Sequence, residues 1–381
     1  MGGNALSIES ARLSRLDYER VAPDVVRRLQ AAYPSLRVAA IEAYREKPDF
    51  GDLDVLVSSH GVDDGHKHGD VFDPFVAAKA IDAIEVVRNG PVTSVGIVMD
   101  PALGTVNGNV FQVDFIRSAP ESFDYGYQYF RMNDAGNLIG RIAHKMGVSH
   151  RHDGLFMVLR DGDHKFGEIE LTKDYARALT FLGYKPQTFL DGFDTLAQMF
   201  DYIASSDFFN PSIYLLENRN NISRIRDRKR PSYTAFLKWC EESPELALFD
   251  HTRGKLVGKE IWHARVQEHF PHFANEHALA VSRLERGRTA QARFNGVFVS
   301  EVSGLHGKAL GGLMQRIRSG FKDEDENGKG SGAGFREFVL GAGDAELVDL
   351  VKRVAAGMPA PVESVAFTEK RSRSPIMGRR P

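Results

Sequence analysis

The sequence predicts an α+β chain, with a strand-rich front part, a small β-ribbon and a mainly helical C-terminal part. Three observations predict it. Short strand patterns mix with helical periodicity over residues 1–117, as in a layered helix-and-sheet domain. Residues 154–171, GLFMVLRDGDHKFGEIEL, turn at Asp161-Gly162-Asp163 like a β-ribbon. From Thr172 to about Ser319 the apolar spacing is mostly helical.

The elements follow in order. Leu13, Leu16, Val21, Val25, Val26 and Leu29 recur at near-helical spacing, predicting a helix over 9–32. A short strand follows at Val38–Ile41, then a polar turn from Arg45 to Gly51 and a strong strand at Asp52–Val57. Residues 60–70 read as a polar loop, Val76–Ile84 as a helix and Val95–Met99 as a strand. PALGTVNGN is a turn, and Val110–Ile116 is a further strand. A helix is expected at Gly136–Met146 and another at about Phe335–Met358. Residues 320–334 combine Gly, Ser and acidic residues without periodicity, the composition of a flexible linker. The expected divisions are 1–117, 118–190, 191–319, 320–334 and a terminal helix with a basic tail, 335–381.

Composition excludes several classes. The chain has 381 residues, 42% hydrophobic and 26% charged, which suits folded domains rather than disorder. Its single cysteine, Cys240, excludes an internal disulfide and a thiolate zinc cluster, so a reducing, cytoplasmic setting is expected. No apolar run approaches the roughly 20 residues needed to span a bilayer, so no membrane partner is expected. The N-terminus lacks an apolar signal core, and Leu6 stands where a myristoylation signal has Ser or Thr. The net charge of -2 leaves open whether Lys and Arg cluster locally. The histidine sets His60/His66/His68 and His144/His150/His152 lack a fixed ligand frame. LGAGDAEL, residues 340–347, is no phosphate loop, because no Lys-Ser/Thr follows it.

The segment DFGDLDVLV, residues 49–57, carries the chemistry. Alternation along a strand points Asp52 and Asp54 to one face and Leu53, Val55 and Val57 to the other. Adjacent carboxylates repel, and a hard divalent cation relieves the repulsion. Asp114 lies in a second apolar strand, VFQVDFI, where an uncompensated charge is costly. If the two strands are neighbours, three carboxylates converge, enough to hold two metal ions. Mg²⁺ or Mn²⁺, two ions, is the expected cofactor. A D-x-D pair alone is weak evidence, because most such pairs are solvated strand ends. Gly51, the apolar strand and Asp114 weigh against that.

With these residues in place, the sequence resembles the DNA polymerase beta superfamily, and family X polymerases in particular. AYREKPDFGDLDVLV, residues 43–57, looks like the family's phosphate turn and first acidic strand. SAPESFDYGYQYFRMNDAGNLIGRIAHKMG, residues 118–147, looks like its palm-to-fingers segment, with Tyr129, Phe130, Asp134, Asn137 and Arg141 at matching offsets. The β-ribbon and LTKDYARALTFLGY, residues 171–184, fit its last subdomain. The resemblance implies a polymerase-beta-type nucleotidyltransferase palm followed by a mainly helical C-terminal domain. It implies metal binding and catalysis by Asp52, Asp54 and Asp114. Arg45 and Gly51 would contact the phosphates of an NTP or dNTP. Tyr129 and Phe130 would pack on its sugar, Asp134 and Asn137 on its base, and Arg141 would reach the nucleic acid. Departures are visible too. Glu42-Ala43 replaces the family's Gly-Ser, and Arg131-Met132-Asn133 replaces a Gly-containing turn. Gly2-Gly3 offers either an alternative approach to phosphate or a frayed end.

NRNNISRIRDRKRP, residues 218–231, gathers Arg219, Arg224, Arg226, Arg228, Lys229 and Arg230 against one acid, ahead of Tyr233, Phe236 and Trp239. The cations suit a nucleic-acid backbone. The aromatics suit either stacked bases or the apolar face of a helix. The function expected is metal-dependent transfer of a nucleoside monophosphate to a DNA or RNA 3′ end, DNA-polymerase-like. Alternatives are an RNA 3′-end nucleotidyltransferase, a toxin-like transferase and a catalytically inactive nucleic-acid-binding protein.

Overall fold

A computed structural model of the chain describes residues 3–60, 71–99, 109–243, 246, 259–321 and 333–357. His66, His68, Gly2, most of the expected linker and the basic tail lie outside the described residues. The chain divides into two compact units, residues 1–277 and 278–381. The architecture is mixed α+β, with a mixed sheet and a helical C-terminal part. No described helix is long and apolar enough to cross a membrane.

The first unit begins with β1 (Leu13–Ser14) and α1 (Arg15–Ala32). The helix starts later than its apolar spacing predicts. Ser14 caps it by accepting from the Asp17 amide, and Leu13 pairs with Phe50. Next come β2 (Val38–Ala40), β3 (Asp49–Phe50), β4 (Asp52–Ser58) and α2 (Pro74–Ala80). β5 (Ala83–Asn89), β6 (Val92–Val98) and β7 (Val110–Ser118) complete the main sheet. Ile84 therefore belongs to a strand, not to the expected helix. Asp82 turns the chain with φ 54°, and Gly90, φ 62°, begins the two-residue link to β6. The sheet order is β2-β4-β7-β6-β5, antiparallel except for the parallel β4–β7 pair.

That pair is the centre of the core. Leu53, Val55, Val57, Val113 and Phe115 pack with Val21, Val25 and Leu29 of α1 and Ala77 of α2. On the opposite sheet face Leu56 and Ile116 meet Phe123, and Ala5 reaches Gln112. α3 (Phe123–Phe130), an additional helix within the expected connecting segment, leads to α4 (Ala135–Lys145). The two meet closely: a Cβ on Gly136 would lie 2.3 Å from the Tyr129 carbonyl oxygen. The expected ribbon is a three-stranded antiparallel sheet, because β8 (Val148–Arg151) joins β9 (Gly154–Asp161) and β10 (His164–Thr172).

Helices α5 (Tyr175–Phe181), α6 (Pro186–Leu190), α7 (Leu196–Ala204), α8 (Asn221–Arg228), α9 (Pro231–Glu242) and α10 (Lys259–His269) follow. The aromatics after the basic run are core residues: Tyr233 and Phe236 are fully buried, and Tyr214 meets Phe236 edge-on. Base stacking by those two residues is thereby excluded. α11 (Phe273–Arg293) continues into the second unit, which adds α12 (Gly296–Ser303), α13 (Gly307–Ser319), α14 (Ala333–Gly341) and α15 (Asp344–Ala356). Its core includes Phe294, Val299, Leu313, Ile317, Val339 and Val351. The single terminal helix expected is two, divided at Ala342-Gly343, where the Gly343 amide donates to the Glu346 carboxylate.

Candidate active site

Strand register brings the acids together. In the parallel β4–β7 pair, Asp54 lies beside Asp114 and Asp52 beside Gln112. Neighbouring strands run about 4.8 Å apart, so these side chains emerge from adjacent points on one sheet face. Burial, then Asp52 and Asp114, push the Asp54 carboxyl up to about 8. Asp114 rises to about 6, chiefly through burial, although hydrogen bonds from Ser94 and Gln112 oppose the shift. Gln112, 2% exposed, donates from Nε2 to Asp114 Oδ1 at 2.9 Å and accepts the Ala5 amide at 2.9 Å. Unneutralised carboxylates on a partly desolvated surface are the condition that a hard divalent cation relieves. The oxygen donors of Asp52, Asp54 and Asp114 fit Mg²⁺ or Mn²⁺ in kind. Their side chains are not drawn in around a common point, as no His, Cys, Asp or Glu group among the described residues is.

Asp52 and Asp54 form the floor of a cleft of about 630 Å³, with Gly51 beside them. Asp114 lies on the neighbouring strand and does not itself line the cleft. The same cleft is lined by Lys229, Arg230 and the first turn of α9, Pro231 and Ser232. The positive end of that helix favours anions. An acidic floor beneath a basic wall suits a metal-bound polyphosphate.

Lys47 was not expected here. It lines the cleft with its ammonium 4.5 Å from the Phe50 ring centre, and burial lowers its pKa despite the opposing pull of Asp52 and Asp54. Tyr18 stacks on Phe50 with ring centres 3.7 Å apart, and its hydroxyl is pushed up by burial and by the same two acids. The sequence carries a signal for Gln112, a polar residue two positions before Asp114 on the same strand face. It carries a weaker one for Lys47, in the turn that leads to Gly51.

Arg45 is placed differently from its expected role. It does not line the cleft; its guanidinium pairs with Asp194 at 2.6 Å and donates to the Asp191 carbonyl. The Arg45 and Glu46 amides also donate to the carbonyls of Phe193 and Asp194. The substituted start of this turn has its own use: Glu42 pairs with Arg131 at 3.0 Å, and its carbonyl accepts the Met132 amide. Met132 and Asn133 both hold positive φ, 58° and 56°, doing without glycine what the turn requires. Asn tolerates this region and Met seldom adopts it. The surrounding Arg131 contacts hold the turn in place. Gly3 is not frayed. Its φ is 86°, and a Cβ there would lie 2.4 Å from the Gly51 carbonyl oxygen.

The Tyr129–Phe130 pair straddles two spaces. Phe130 and Asp134 line the acid cleft, while Tyr129, Asn137 and Arg141 line a separate pocket. Asp134 accepts from Arg230 at 2.5 Å, and Arg141 donates to the Ile213 carbonyl at 3.3 Å. The basic run also divides. Arg226, Arg228 and Lys229 are exposed, and Arg224 and Arg230 are half-buried. Arg219 departs from the expected surface row: it is buried, with its guanidinium 2.5 Å from the fully buried Asp227. Eight residues apart, the two are joined by the N-terminal approach to α8. Arg219 therefore anchors that segment, and Arg226 contacts Asp227 from outside at 3.1 Å. Set against known protein families and curated proteins, the chain matches none.

Proposed function

We propose that this chain is a metal-dependent nucleotidyltransferase with a polymerase-beta-type palm, which transfers a nucleoside monophosphate from an NTP or dNTP to a nucleic-acid 3′-hydroxyl. The observation that carries the reading is the parallel register of Asp54 with Asp114, with Asp52 two residues ahead, in a cleft that Lys47, Lys229 and Arg230 also line. Asp52, Asp54 and Asp114 would hold two divalent ions. When bound, these supply charge neutralisation at the phosphate that is attacked and at the one that leaves. Lys47, Lys229, Arg230 and the first turn of α9 orient the triphosphate. Phe130 gives the sugar an apolar wall. The 3′-hydroxyl oxygen bonds to the α-phosphorus, the bond to the β-phosphate oxygen breaks, and pyrophosphate leaves. The hydroxyl proton would pass to the acid cluster, in which Asp114, steadied by Gln112, lies on the strand beside the cleft. Most of the acceleration comes from positioning and fixed charge.

A second observation favours ribonucleotides within this reading. Asn133 lines the cleft near Phe130, and its Oδ1 is buried without a hydrogen-bond partner. That acceptor suits a ribose hydroxyl. The test combines protein, Mg²⁺ or Mn²⁺, labelled primers and each nucleotide. Template-dependent extension supports the polymerase form. Addition of one ribonucleotide type to single-stranded RNA supports the end-adding form. Asp114→Asn should reduce transfer by about 10³-fold with an unchanged circular dichroism spectrum. No incorporation on any primer by the unaltered protein refutes the proposal.

A further inference from the structure

The second pocket, about 330 Å³, is roughly half the size of the acid cleft. Its walls are α4, the start of β8 and the first turn of α8. Arg141, Lys145, Arg219 and Arg226 line it, and no carboxylate does, although Arg219 and Arg226 both pair with Asp227 outside the lining. Asn137 Nδ2 and Arg141 Nε are shielded from solvent and have no protein partner. His150, 7% exposed, also lines the wall; its Nδ1 donates to the Gly136 carbonyl at 3.3 Å, which leaves Nε2 of the neutral ring an acceptor and adds no donor to the set. A buried donor without an acceptor costs about 1–3 kcal/mol, so Asn137 Nδ2 and Arg141 Nε together make an acceptor-shaped vacancy. Asn220 caps α8 by accepting from the Ser223 amide at 2.9 Å, and both residues line the pocket, at the end of the helix that favours negative charge. Unpaired donors, excess positive charge and a helix start agree on an oxyanion.

We propose that this pocket binds a backbone phosphate of the nucleic-acid strand whose 3′ end occupies the acid cleft. The inference rests on the nucleic-acid reading above. The two spaces share one dividing ridge. Tyr129 lines the pocket and its chain neighbour Phe130 the cleft, while Arg226 lines the pocket and Arg230, four residues on, lines the cleft. A strand can therefore cross from one to the other, leaving a phosphate behind the ridge and a hydroxyl in front of it. Asn137 and Arg141 then act on the strand's backbone, away from the incoming nucleotide. The small volume disfavours a whole nucleoside triphosphate as occupant.

The test uses Arg226→Ala and Ser223→Asp, on exposed and half-buried positions of α8, in the full chain. Binding of a fluorescein-labelled single-stranded oligonucleotide is followed by anisotropy from about 50 to 200 mM KCl, and binding of ATP with Mg²⁺ by calorimetry. Each variant should weaken oligonucleotide binding at least fivefold, and Arg226→Ala should flatten the log–log salt slope by about 0.7, the contribution of one single-strand phosphate. ATP affinity should change less than twofold. Unchanged oligonucleotide affinity and slope in both variants overturn the proposal. So does a loss of ATP affinity with oligonucleotide binding intact, which assigns the pocket to a free nucleotide. Primer extension on the same samples separates the two claims. Pocket-dependent binding without transfer by the unaltered protein removes the enzymatic reading alone, and transfer with pocket-independent binding removes the strand-phosphate reading alone.

Discussion

Replacing Asp54 with asparagine keeps the shape of the acid cluster and removes one charge, with opposite consequences in the absence and presence of metal. Without a divalent ion, burial, Asp52 and Asp114 lift Asp54 from 3.8 to about 8. An unfolded chain releases that proton near pH ~4, whereas the folded chain holds it until about pH 8. The folded state therefore binds the extra proton between these limits. The associated stability is complete below pH ~4 and is lost as pH rises towards ~8. At ~1.4 kcal/mol per pH unit the full interval corresponds to a ceiling of ~6 kcal/mol. The cleft is open, and rotation of the carboxylates toward water lowers the expected figure to ~2–3 kcal/mol. Asparagine does not titrate. In EDTA, Asp54→Asn should thus match the unaltered protein near pH 4 and exceed its stability by ~2–3 kcal/mol at about pH 8.5. Millimolar Mg²⁺ should stabilise the unaltered protein and leave the variant unchanged, so that the order reverses. Urea unfolding followed by circular dichroism reads all four conditions. A metal-free stability difference that stays constant between the two pH values would refute the argument that these carboxylates share one desolvated site.

Three further outcomes follow from other contacts. Lys47→Ala should raise the nucleotide KM about tenfold with a smaller effect on kcat, because the ammonium holds phosphate in the ground state as well as during transfer; an unchanged KM would remove it from the phosphate site. Arg219→Ala strands the buried Asp227 charge and should cost ~3–5 kcal/mol in urea unfolding, whereas Arg219→Met with Asp227→Leu should regain most of it; a single variant of normal stability would contradict the anchoring role. Gly136→Ala forces a methyl against the Tyr129 carbonyl and should cost ~1–3 kcal/mol, seen as a lowered Tm, and an unaltered Tm would contradict the close α3–α4 approach.

The acids were legible because alternation along a strand is local: Asp52 and Asp54 must share a face wherever β4 lies. Their union with Asp114 was only conditional in the sequence, because pairing of strands some 60 positions apart is decided by the β5–β6 hairpin and α2, which bury the opposite face. That hairpin was itself half-missed. The expected helix runs on to Ile84, whereas Ile84, Val86 and Val87 belong to β5, and Asn89-Gly90 after them carries a turn signal. Charge counting grouped Arg219 with its neighbours because local composition cannot tell which arginine a buried aspartate will claim. Arg45 was misplaced for a similar reason: its partners, Asp191 and Asp194, lie nearly 150 residues away. The resemblance groups Tyr129 to Arg141 in one segment, but the division of its side chains between two spaces depends on helix rotation, which offsets along the chain do not encode.

The path of the first residues has a practical side. Gly3 rests on the carbonyl that precedes Asp52, Ser10 Oγ donates back to the Gly3 carbonyl, and Ala5 reaches Asp114 through Gln112. Anything joined ahead of Gly3, such as an affinity tag or the stub left after its removal, must leave the protein beside the acidic strands. Preparations that differ only in that appendage are therefore expected to differ in measured turnover and in metal requirement. Comparing tagged and untagged N-termini turns a purification choice into a probe of the site.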